Sequence, residues 1–427
     1  MFKKDFLLGA ATAAHQVEGN NFNSDCWIME HIPHSSYDEP SEDAVDHYHR
    51  YEEDINYLKC AGLNSYRFSI EWARIEPEEG KWDEAEIEHY KQMIKYCKSN
   101  GITPVITYHH FSSPKWLVSD GGWENPKVVD RFAKYAKKLT EEYKDDLEYI
   151  CTINEANMRL QLKSLIADMK KRMSRGQENS DTSNVQVGFN AMMENMKLQM
   201  MEQAQAFGVA DPRNIHNFVS ECTPEGDLLV MKAHMAAKEA IKAVKPEIKV
   251  GLTLSLHNIV AYDGGNQLAQ DNWNEEFIHY LPYIAEDDFL GVQCYSNKYF
   301  DGNGVAASPE KSPVTQMGYE DVPTAIGDCI RTVAKDFKND LIVTENGIAT
   351  DDDDRRQVFI KEATESVEKC IEDGIPVKGY FYWSLLDNFE WQKGYAKTFG
   401  LIAVDRTTQT RIPKESLKLL GSLIEKN

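Results

Sequence analysis

The chain has 427 residues, of which 42% are hydrophobic and 11% aromatic, so it can build the large core of a globular protein. Its formal net charge of −22 argues against nucleic acid and anionic membrane as partners, because no basic surface is available to neutralise phosphates. No stretch approaches the roughly 18 uninterrupted apolar residues of a transmembrane helix. An acidic surface of this kind mainly favours solubility.

Eight cysteines are scattered through the chain without a Cys-x-x-Cys pair. Several, such as Cys151 and Cys294, lie inside apolar, strand-like runs, where cysteine behaves as a small buried hydrophobe. This distribution predicts a cytoplasmic protein without a disulfide framework or a metal site. The first residues imitate a short secretory signal, but Asp5 interrupts the pattern, so we interpret residues 6–12 as the first strand.

Short apolar runs alternate with amphipathic helical stretches along the whole chain. The predicted strands are Phe6–Thr12, Ser65–Glu71, Pro104–His109, Tyr149–Glu155, Lys249–Leu256, Asp288–Tyr295, Leu341–Glu345 and Val377–Trp383. The helices predicted beside them include Asp46–Ala61, Glu84–Ser99, Pro126–Tyr143, Leu228–Val244 and Arg356–Asp373. Such alternation implies a parallel sheet, and eight repeats predict a single α/β domain over residues 1–427, a (β/α)₈ TIM barrel.

The active site of such a barrel is built at the C-terminal ends of its strands, so the residues that end these runs are the candidates. Two of them are glutamates, Glu155 and Glu345, which we expect to converge as a pair of catalytic carboxylates. The Asn-Gly pair after Glu345 predicts a tight turn. The other polar and aromatic residues at strand ends are Gln16, Arg67, His109, His110, Asn154, His257, Tyr295, Asn346 and Trp383.

A single glutamate at a strand end is more often solvated, or caps the next helix, than catalytic. Catalytic function is therefore inferred from the whole set of side chains at the strand ends. Carboxylates and amides hydrogen-bond hydroxyl groups, and indole faces cover the C–H face of a sugar ring. The combination favours a neutral, polyhydroxylated ligand.

Five segments carry a resemblance to a known family. They are residues 6–19 (FLLGAATAAHQVEG), 66–72 (YRFSIEW), 152–155 (TINE), 343–347 (VTENG) and 382–391 (YWSLLDNFEW). In this order they resemble glycoside hydrolase family 1, the β-glucosidase family, from residue 6 to about residue 405. The resemblance implies a retaining β-glycosidase that uses no cofactor and takes a glycoside or oligosaccharide as its substrate.

The resemblance also implies roles for individual residues. Glu155 matches the acid/base and Glu345 the nucleophile of a mechanism in which the two carboxyls lie roughly 5 to 5.5 Å apart. Arg67 and Tyr295 match the residues that hold the nucleophile ionised, while repulsion by Glu345 keeps Glu155 protonated at first. The residues that match the binding site of the cleaved sugar are Gln16, His110, Asn154, Trp383, Glu390 and Trp391.

Two residues bear on the alternatives. His110 precedes Phe111 as the family's histidine precedes an aromatic residue, so it is preferred to His109. Glu390 stands where 6-phospho-β-glycosidases usually carry serine with cationic neighbours, and a carboxylate would repel a 6-phosphate. The nearby Lys393 and Lys397 are interpreted as exposed. A 6-phospho-β-glycosidase and a non-hydrolytic sugar-binding relative stay open as alternatives.

Two short departures from the family pattern lie next to the predicted site. Ala156 replaces the usual proline after the acid/base, which removes a backbone restraint but no catalytic group. Gln293-Cys294 replaces Asn-Tyr before Tyr295, and the glutamine keeps an amide that can make the same kind of contact.

The longest departure is segment 157–226, predicted as an extended helical insertion after the fourth strand. Eight of the fourteen methionines fall between Met158 and Met201. Either two amphipathic helices pack on the barrel with these methionines in the core, or the segment is a lid whose thioethers receive a hydrophobic aglycone. The natural sugar, the aglycone and the oligomeric state are left open.

Overall fold

Apolar runs of the sequence form the strands of a parallel sheet, and amphipathic stretches form helices around it. The computed structural model describes residues 1–164, 183–309 and 312–425, and for residues 183–193 the backbone alone. In chain order the strands are β1 (Leu7–Ala11), β2 (Ser65–Ser69), β3 (Thr103–His109), β4 (Tyr149–Ile153), β5 (Lys249–Gly251), β6 (Thr253–Ser255), β7 (Asn258–Ala261), β8 (Phe289–Gln293), β9 (Asn297–Asp301), β10 (Gly304–Ala306), β11 (Asp340–Asn346), β12 (Val377–Trp383), β13 (Ile402–Asp405) and β14 (Thr410–Pro413).

The main sheet closes into a barrel because one predicted strand is shared by both of its edges. Its order is β5-β4-β3-β2-β1-β12-β11-β8-β6, with parallel pairing throughout. Only Leu252 separates β5 from β6, so the predicted strand Lys249–Leu256 pairs with β4 by its first half and with β8 by its second. The predicted (β/α)₈ barrel is confirmed, with its fifth strand divided. Two smaller sheets, β10-β9-β7 and β13-β14, were not predicted.

Helices follow most of the barrel strands. Five of them agree to within four residues at each end with the helices predicted from apolar spacing. The helices of seven or more residues in the part of the chain that the structure describes are His47–Ala61, Glu84–Ser99, Val128–Tyr143, Ser183–Phe207, Pro224–Val244, Asn266–Trp273, Ala325–Val333, Asp353–Glu372 and Glu415–Gly421. Residues 158–164 are also helical.

Side chains along each strand alternate between the helix layer and the barrel interior. Leu8 and Tyr66 belong to the large cluster under the helices, whereas Leu7 and Val105 belong to a smaller cluster inside the barrel. Arg67 is fully buried and lies opposite Ala11 at the end of β1. A charged group therefore stands inside the barrel above an apolar layer.

The interpretation of the methionines as core is wrong for three that the structure describes. Met196, Met200 and Met201 on the helix Ser183–Phe207 are 47%, 41% and 57% exposed. The helix packs by its end instead, where Phe207 is buried in a cluster with Cys26, Val118 and Phe389. Met158 is partly buried against the main core. Met169, Met173, Met192 and Met193 lie outside the described side chains.

The predicted tight turn at Asn346-Gly347 is also wrong, because Asn346 still belongs to β11 and no turn follows it. Glycine is required there for another reason. A Cβ atom on Gly347 would lie 1.9 Å from the carbonyl oxygen of Trp383, so the two segments approach too closely for any side chain.

Two observations concern the environment of the whole chain. All eight cysteines are unpaired, and seven of them are buried. Among the helices that the structure describes, none is long and apolar enough to cross a membrane.

Candidate active site

Glu345 is held at the C-terminal end of β11 by two donors, Arg67 on β2 and Tyr295 just after β8. Arg67 Nη1 lies 2.6 Å from its Oε1, and the Tyr295 hydroxyl donates to its Oε2 at 2.8 Å. Arg67 also donates from Nη2 to Asn154 Oδ1 at 2.6 Å. Both oxygens of the carboxylate are therefore fixed in direction.

An irregularity in β11 accounts for the direction in which Glu345 points. Strict alternation would place it on the same face as Val343, which packs in the cluster under the helices. In the pairing with β8 the register shifts between Val343 and Glu345. In the pairing with β12 it shifts between Val343 and Asn346. Bulges of this kind redirect side chains, and this one turns Glu345 toward Arg67.

Glu155 follows β4 and is 7% exposed. Its backbone is left-handed, with φ of 45°, which is uncommon for a residue other than glycine. The nearby Ser255 side chain favours the ionised form of its carboxyl group and so opposes a rise in its pKa. Burial, followed by repulsion from Glu345, raises the pKa of Glu155 well above its ordinary value.

Burial also raises the pKa of Glu345, which the expectation of a fully ionised nucleophile did not include. Two neighbours oppose this rise, because Arg67 and Tyr295 both donate hydrogen bonds that favour the carboxylate. Arg67 acts on Glu155 only as a more distant charge. Glu345 is therefore the first of the two carboxyls to lose its proton.

Gln16 and Glu390 face the same region from the first and last barrel segments. Gln16 Nε2 donates to Phe389 O at 2.7 Å and to Glu390 Oε2 at 3.3 Å. Gln16 Oε1 is buried without a partner among the described residues. Burial and the nearby Glu345 raise the pKa of Glu390 to about 8. At neutral pH Glu390 therefore keeps its proton, and it repels a phosphate less than the sequence argument assumed.

Aromatic rings line this region. His110 stacks on Trp383 with a centroid separation of 5.8 Å and on Trp391 at 6.2 Å. Asn154 Nδ2 lies 3.2 Å from His110 Nε2. Burial lowers the pKa of His110 well below its ordinary value, so the ring is neutral and accepts this hydrogen bond.

Three of the polar residues predicted at strand ends contact other parts of the protein. His109 Nε2 lies 3.0 Å from Ser113 Oγ, away from the rings that surround His110. His257 pairs with Glu276 at 3.1 Å. Asn346 donates to the Cys294 carbonyl at 2.7 Å and supports the backbone.

Two further buried side chains, Gln293 and Thr253, contact Asn154. Gln293, noted above as a departure, donates from Nε2 to Asn154 Oδ1 at 2.8 Å, so its amide makes a contact with the site. Thr253 Oγ1 lies 3.2 Å from the same oxygen and accepts the backbone N–H of Glu155 at 2.8 Å. Sequence reasoning missed Thr253, because a threonine within an apolar run carries no signal of function.

Among the described residues, no three His, Cys, Asp or Glu side chains are grouped to hold a metal ion. The chemistry available here comes from the two carboxyls and their hydrogen-bond partners. A carboxylate held by a cation, beside a carboxyl with a raised pKa, can perform nucleophilic and acid/base catalysis together.

Comparison with known proteins identifies the family of the chain. The model for glycosyl hydrolase family 1 matches residues 1–195 and 276–427. Beta-glucosidase A of Acetivibrio thermocellus is 31% identical, over 100% of this chain and 98% of that protein. The crystal structure of beta-glycosidase BGL167 is 42% identical with a TM-score of 0.88, covering 99% of this chain and 96% of that one. Beta-glucosidase from Thermotoga maritima, solved with cyclophellitol, is 26% identical with a TM-score of 0.79, covering 99% and 98%. The chain belongs to glycosyl hydrolase family 1.

Proposed function

We propose that this protein is a retaining β-glycosidase that hydrolyses β-linked glucosides, with Glu345 as the nucleophile and Glu155 as the acid/base. The observation that carries the proposal is the unequal environment of two buried carboxyls. Arg67 and Tyr295 donate to Glu345, whereas Glu155 carries the strongly raised pKa. Environments that separate the pKa values of two neighbouring acids assign one as the base or nucleophile and the other as the acid.

In the first step, the Glu345 carboxylate attacks the anomeric carbon while Glu155 donates its proton to the glycosidic oxygen. The bond between the sugar and the leaving group breaks, and an ester forms between the sugar and Glu345. Arg67 Nη1 then loses the full negative charge that it faced. The Tyr295 hydroxyl stays protonated, because burial and Glu345 raise its pKa well above the ordinary value.

In the second step, Glu155 acts as a base. Esterification removes the charge of Glu345, so the repulsion that raised the pKa of Glu155 is gone. The Glu155 carboxylate takes a proton from water, and the water oxygen attacks the anomeric carbon. Glu345 is released as a carboxylate, and the sugar leaves with its β configuration retained.

The sugar is bound, in this proposal, by the polar and aromatic groups above the carboxyls. The unpartnered Gln16 Oε1 accepts from one hydroxyl group, and protonated Glu390 can donate as well as accept. Trp383 and Trp391 present indole rings to the ring carbons. The six residues assigned to the sugar are Gln16, His110, Asn154, Trp383, Glu390 and Trp391.

We assign the leaving group to a cavity of about 510 Å³ next to the segment that follows Glu155. Met158 and Phe300 form apolar parts of its wall, and His257 and Glu276 form polar parts. The Met158 amide donates to the Glu155 carbonyl at 2.8 Å, so one residue of the wall belongs to the turn that follows the acid/base. A mixed wall of this kind suits an aglycone with both apolar and hydroxyl groups.

Neither lysine near Glu390 in the described residues supports the 6-phospho-β-glycosidase alternative. Lys393 is exposed, as predicted. Lys397 is partly buried, so its prediction as exposed is wrong, but it donates to the Gln316 carbonyl at 2.7 Å. Because both carboxyls are present and held, a non-hydrolytic role is also disfavoured. We further propose a cytoplasmic location and one catalytic domain over residues 1–427; unpaired, mostly buried cysteines support the location.

The experiment is release of nitrophenol from p-nitrophenyl β-glycosides, with and without a 6-phosphate, by the wild type and Glu345→Gln. We expect turnover of the unphosphorylated β-glucoside by the wild type and its loss in the variant, because an amide is a poor nucleophile. Cleavage of phosphorylated substrates alone would favour the alternative. Absence of turnover on the whole panel by folded wild-type protein would contradict the proposal.

A further inference from the structure

Thr253 holds the backbone of the acid/base where the regular pairing of its strand has ended. The ladder between β4 and β5 stops at Cys151 opposite Gly251. Beyond it, the Glu155 amide donates to Thr253 Oγ1 at 2.8 Å, and the Ala156 amide donates to Thr253 O at 2.9 Å. One threonine therefore accepts from two successive amides that the strand ladder does not reach.

The second of these contacts exists because of the departure at residue 156. Proline has no amide hydrogen, so it could not donate to the Thr253 carbonyl. Ala156 donates instead, and this hydrogen bond supplies a restraint where the proline ring is missing. Glu155 needs such a restraint, because its left-handed φ of 45° is disfavoured for an L-residue with a side chain.

The hydroxyl group of Thr253 is fully used. It accepts from the Glu155 amide and from Gln293 Nε2 at 3.2 Å, and it donates to Asn154 Oδ1 at 3.2 Å. The residue is completely buried, so water cannot replace these partners. A hydroxyl offers one donor and two acceptor sites, and all three are occupied here.

Packing fixes the orientation of this hydroxyl group. Thr253 lies opposite Gly291 on β8, and a Cβ atom on Gly291 would lie 2.6 Å from the Thr253 γ-methyl group. The methyl group therefore fills the space that glycine leaves open. With the methyl group held there, the hydroxyl faces Glu155.

We propose that Thr253 is a positioning residue for acid catalysis, which aims Glu155 at the glycosidic oxygen by holding the Glu155 and Ala156 amides. The inference rests on the proposed function. The Ser255 side chain, on the same strand β6, opposes the rise in the pKa of Glu155.

Positioning of an acid has a distinctive kinetic consequence. A leaving group such as 2,4-dinitrophenolate departs without a proton, whereas the alkoxide of an alkyl glucoside requires one. Misplacing Glu155 therefore lowers kcat/KM, which reports the first step, for alkyl glucosides and leaves kcat/KM for dinitrophenyl glucosides almost unaffected. Damage to the barrel as a whole would slow both classes alike.

The test compares Thr253→Val, which keeps the shape and removes the hydroxyl, with Thr253→Ser, which keeps the hydroxyl. We expect Thr253→Val to lower kcat/KM for methyl β-glucoside at least about tenfold more than for dinitrophenyl β-glucoside, since general acid catalysis contributes ~100-fold or more. Thr253→Ser should retain most of the wild-type kcat/KM for methyl β-glucoside. Thr364→Val is the matched control, because this buried hydroxyl bonds only carbonyls of its own helix.

Equal losses on both substrates, no loss on either, or a Thr253→Ser variant as impaired as Thr253→Val would overturn the proposal. Amide hydrogen exchange of residues 154–157 supplies a readout that does not depend on turnover. Thr253→Val should speed exchange at Glu155 in the folded protein, and unchanged exchange would contradict the proposal. If the wild type cleaved neither substrate, the proposed function would fail, and exchange would still decide whether Thr253 holds this amide.

Discussion

Glu155 and Glu345 are both buried, yet their neighbours assign them different proton states. Arg67 and Tyr295 donate hydrogen bonds to Glu345 directly, while Arg67 acts on Glu155 only through its more distant charge. A hydrogen bond to the charged form lowers a pKa, and burial raises it. Burial acts on both residues, but the stronger opposing contacts act on Glu345. The difference between the two carboxyls is therefore set by a few side chains.

This difference predicts the pH dependence of the reaction. The acidic limb of kcat/KM should report ionisation of Glu345, and the basic limb should report loss of the proton from Glu155. Because the pKa of Glu155 is raised well above the ordinary value, the basic limb should lie at higher pH than the titration of an exposed glutamate. Measured with p-nitrophenyl β-glucoside, whose less acidic leaving group still gains from the acid, Glu155→Gln should lose that limb.

Glu390→Gln is the control, because the pKa of Glu390 is about 8 and its titration falls in the same region. If Glu155→Gln kept the basic limb while Glu390→Gln lost it, the limb would belong to Glu390. That result would contradict the assignment of Glu155 as the acid.

At the scale of elements, the sequence was informative where local pattern decides structure. Apolar runs located every barrel strand, and helical spacing located five helices to within four residues at each end. The interruption at Leu252 and the register shift before Glu345 were not predictable, because both depend on how strands meet when the barrel closes. The register shift orients Glu345, so the final geometry of the site depended on an irregularity that no local pattern announces.

The helix Ser183–Phe207 shows another limit of local pattern. Its methionines suggested a buried face, but the side chains of Met196 and Met201 are exposed, and packing is concentrated at Phe207. A methionine-rich helix can serve as core or as surface, and only the position of the neighbouring elements decides between them. The role of segment 157–226 in binding the aglycone stays a prediction.

Gly347→Ala tests the close approach between β11 and β12. The added Cβ atom would overlap the Trp383 carbonyl at 1.9 Å, so the backbone beside Glu345 and Trp383 must shift. We expect a loss of about 1–3 kcal/mol in the free energy of unfolding, which is typical of overpacking, together with a large loss of kcat. Urea denaturation and steady-state kinetics measure the two effects.

Gly374→Ala is the control for this substitution. Gly374 has a positive φ but no atom within 4 Å of the added Cβ, so only backbone strain is introduced. We expect this variant to keep its activity. Full activity in Gly347→Ala would show that the contact with Trp383 does not constrain the site.

At the scale of the whole molecule, several buried carboxyls have raised pKa values in a protein whose formal net charge is −22. Glu390 has a pKa of about 8, and burial raises the pKa of Asp25, which accepts from the Ser113 amide, to about 7. The folded state therefore binds protons that the unfolded state has already released at neutral pH. The raised pKa values therefore lower the stability of the folded state, but they let these carboxyls act as acids near neutral pH.

This imbalance predicts that stability falls as pH rises through the pKa values of the folded state. Between about pH 6.5 and 8.5 the folded protein holds more protons than the unfolded chain, so the free energy of unfolding decreases with pH. Histidines with lowered pKa values, such as His109, titrate in the folded protein below this pH range. Urea denaturation at several pH values measures the slope, which Glu390→Gln should reduce. A free energy of unfolding that rises across this window would contradict the assignment.

The central claim is that Glu345 forms a covalent bond to the sugar during turnover. The most direct test is reaction of the wild type with 2-deoxy-2-fluoro-β-glucosyl fluoride, followed by proteolysis and mass spectrometry of the labelled peptide. The fluorine slows both steps, and the activated leaving group lets the ester accumulate. We predict one sugar per chain, attached to Glu345, and no label in Glu345→Gln. A label on Glu155, or rapid turnover of the parent glucoside with no covalent adduct, would contradict the mechanism.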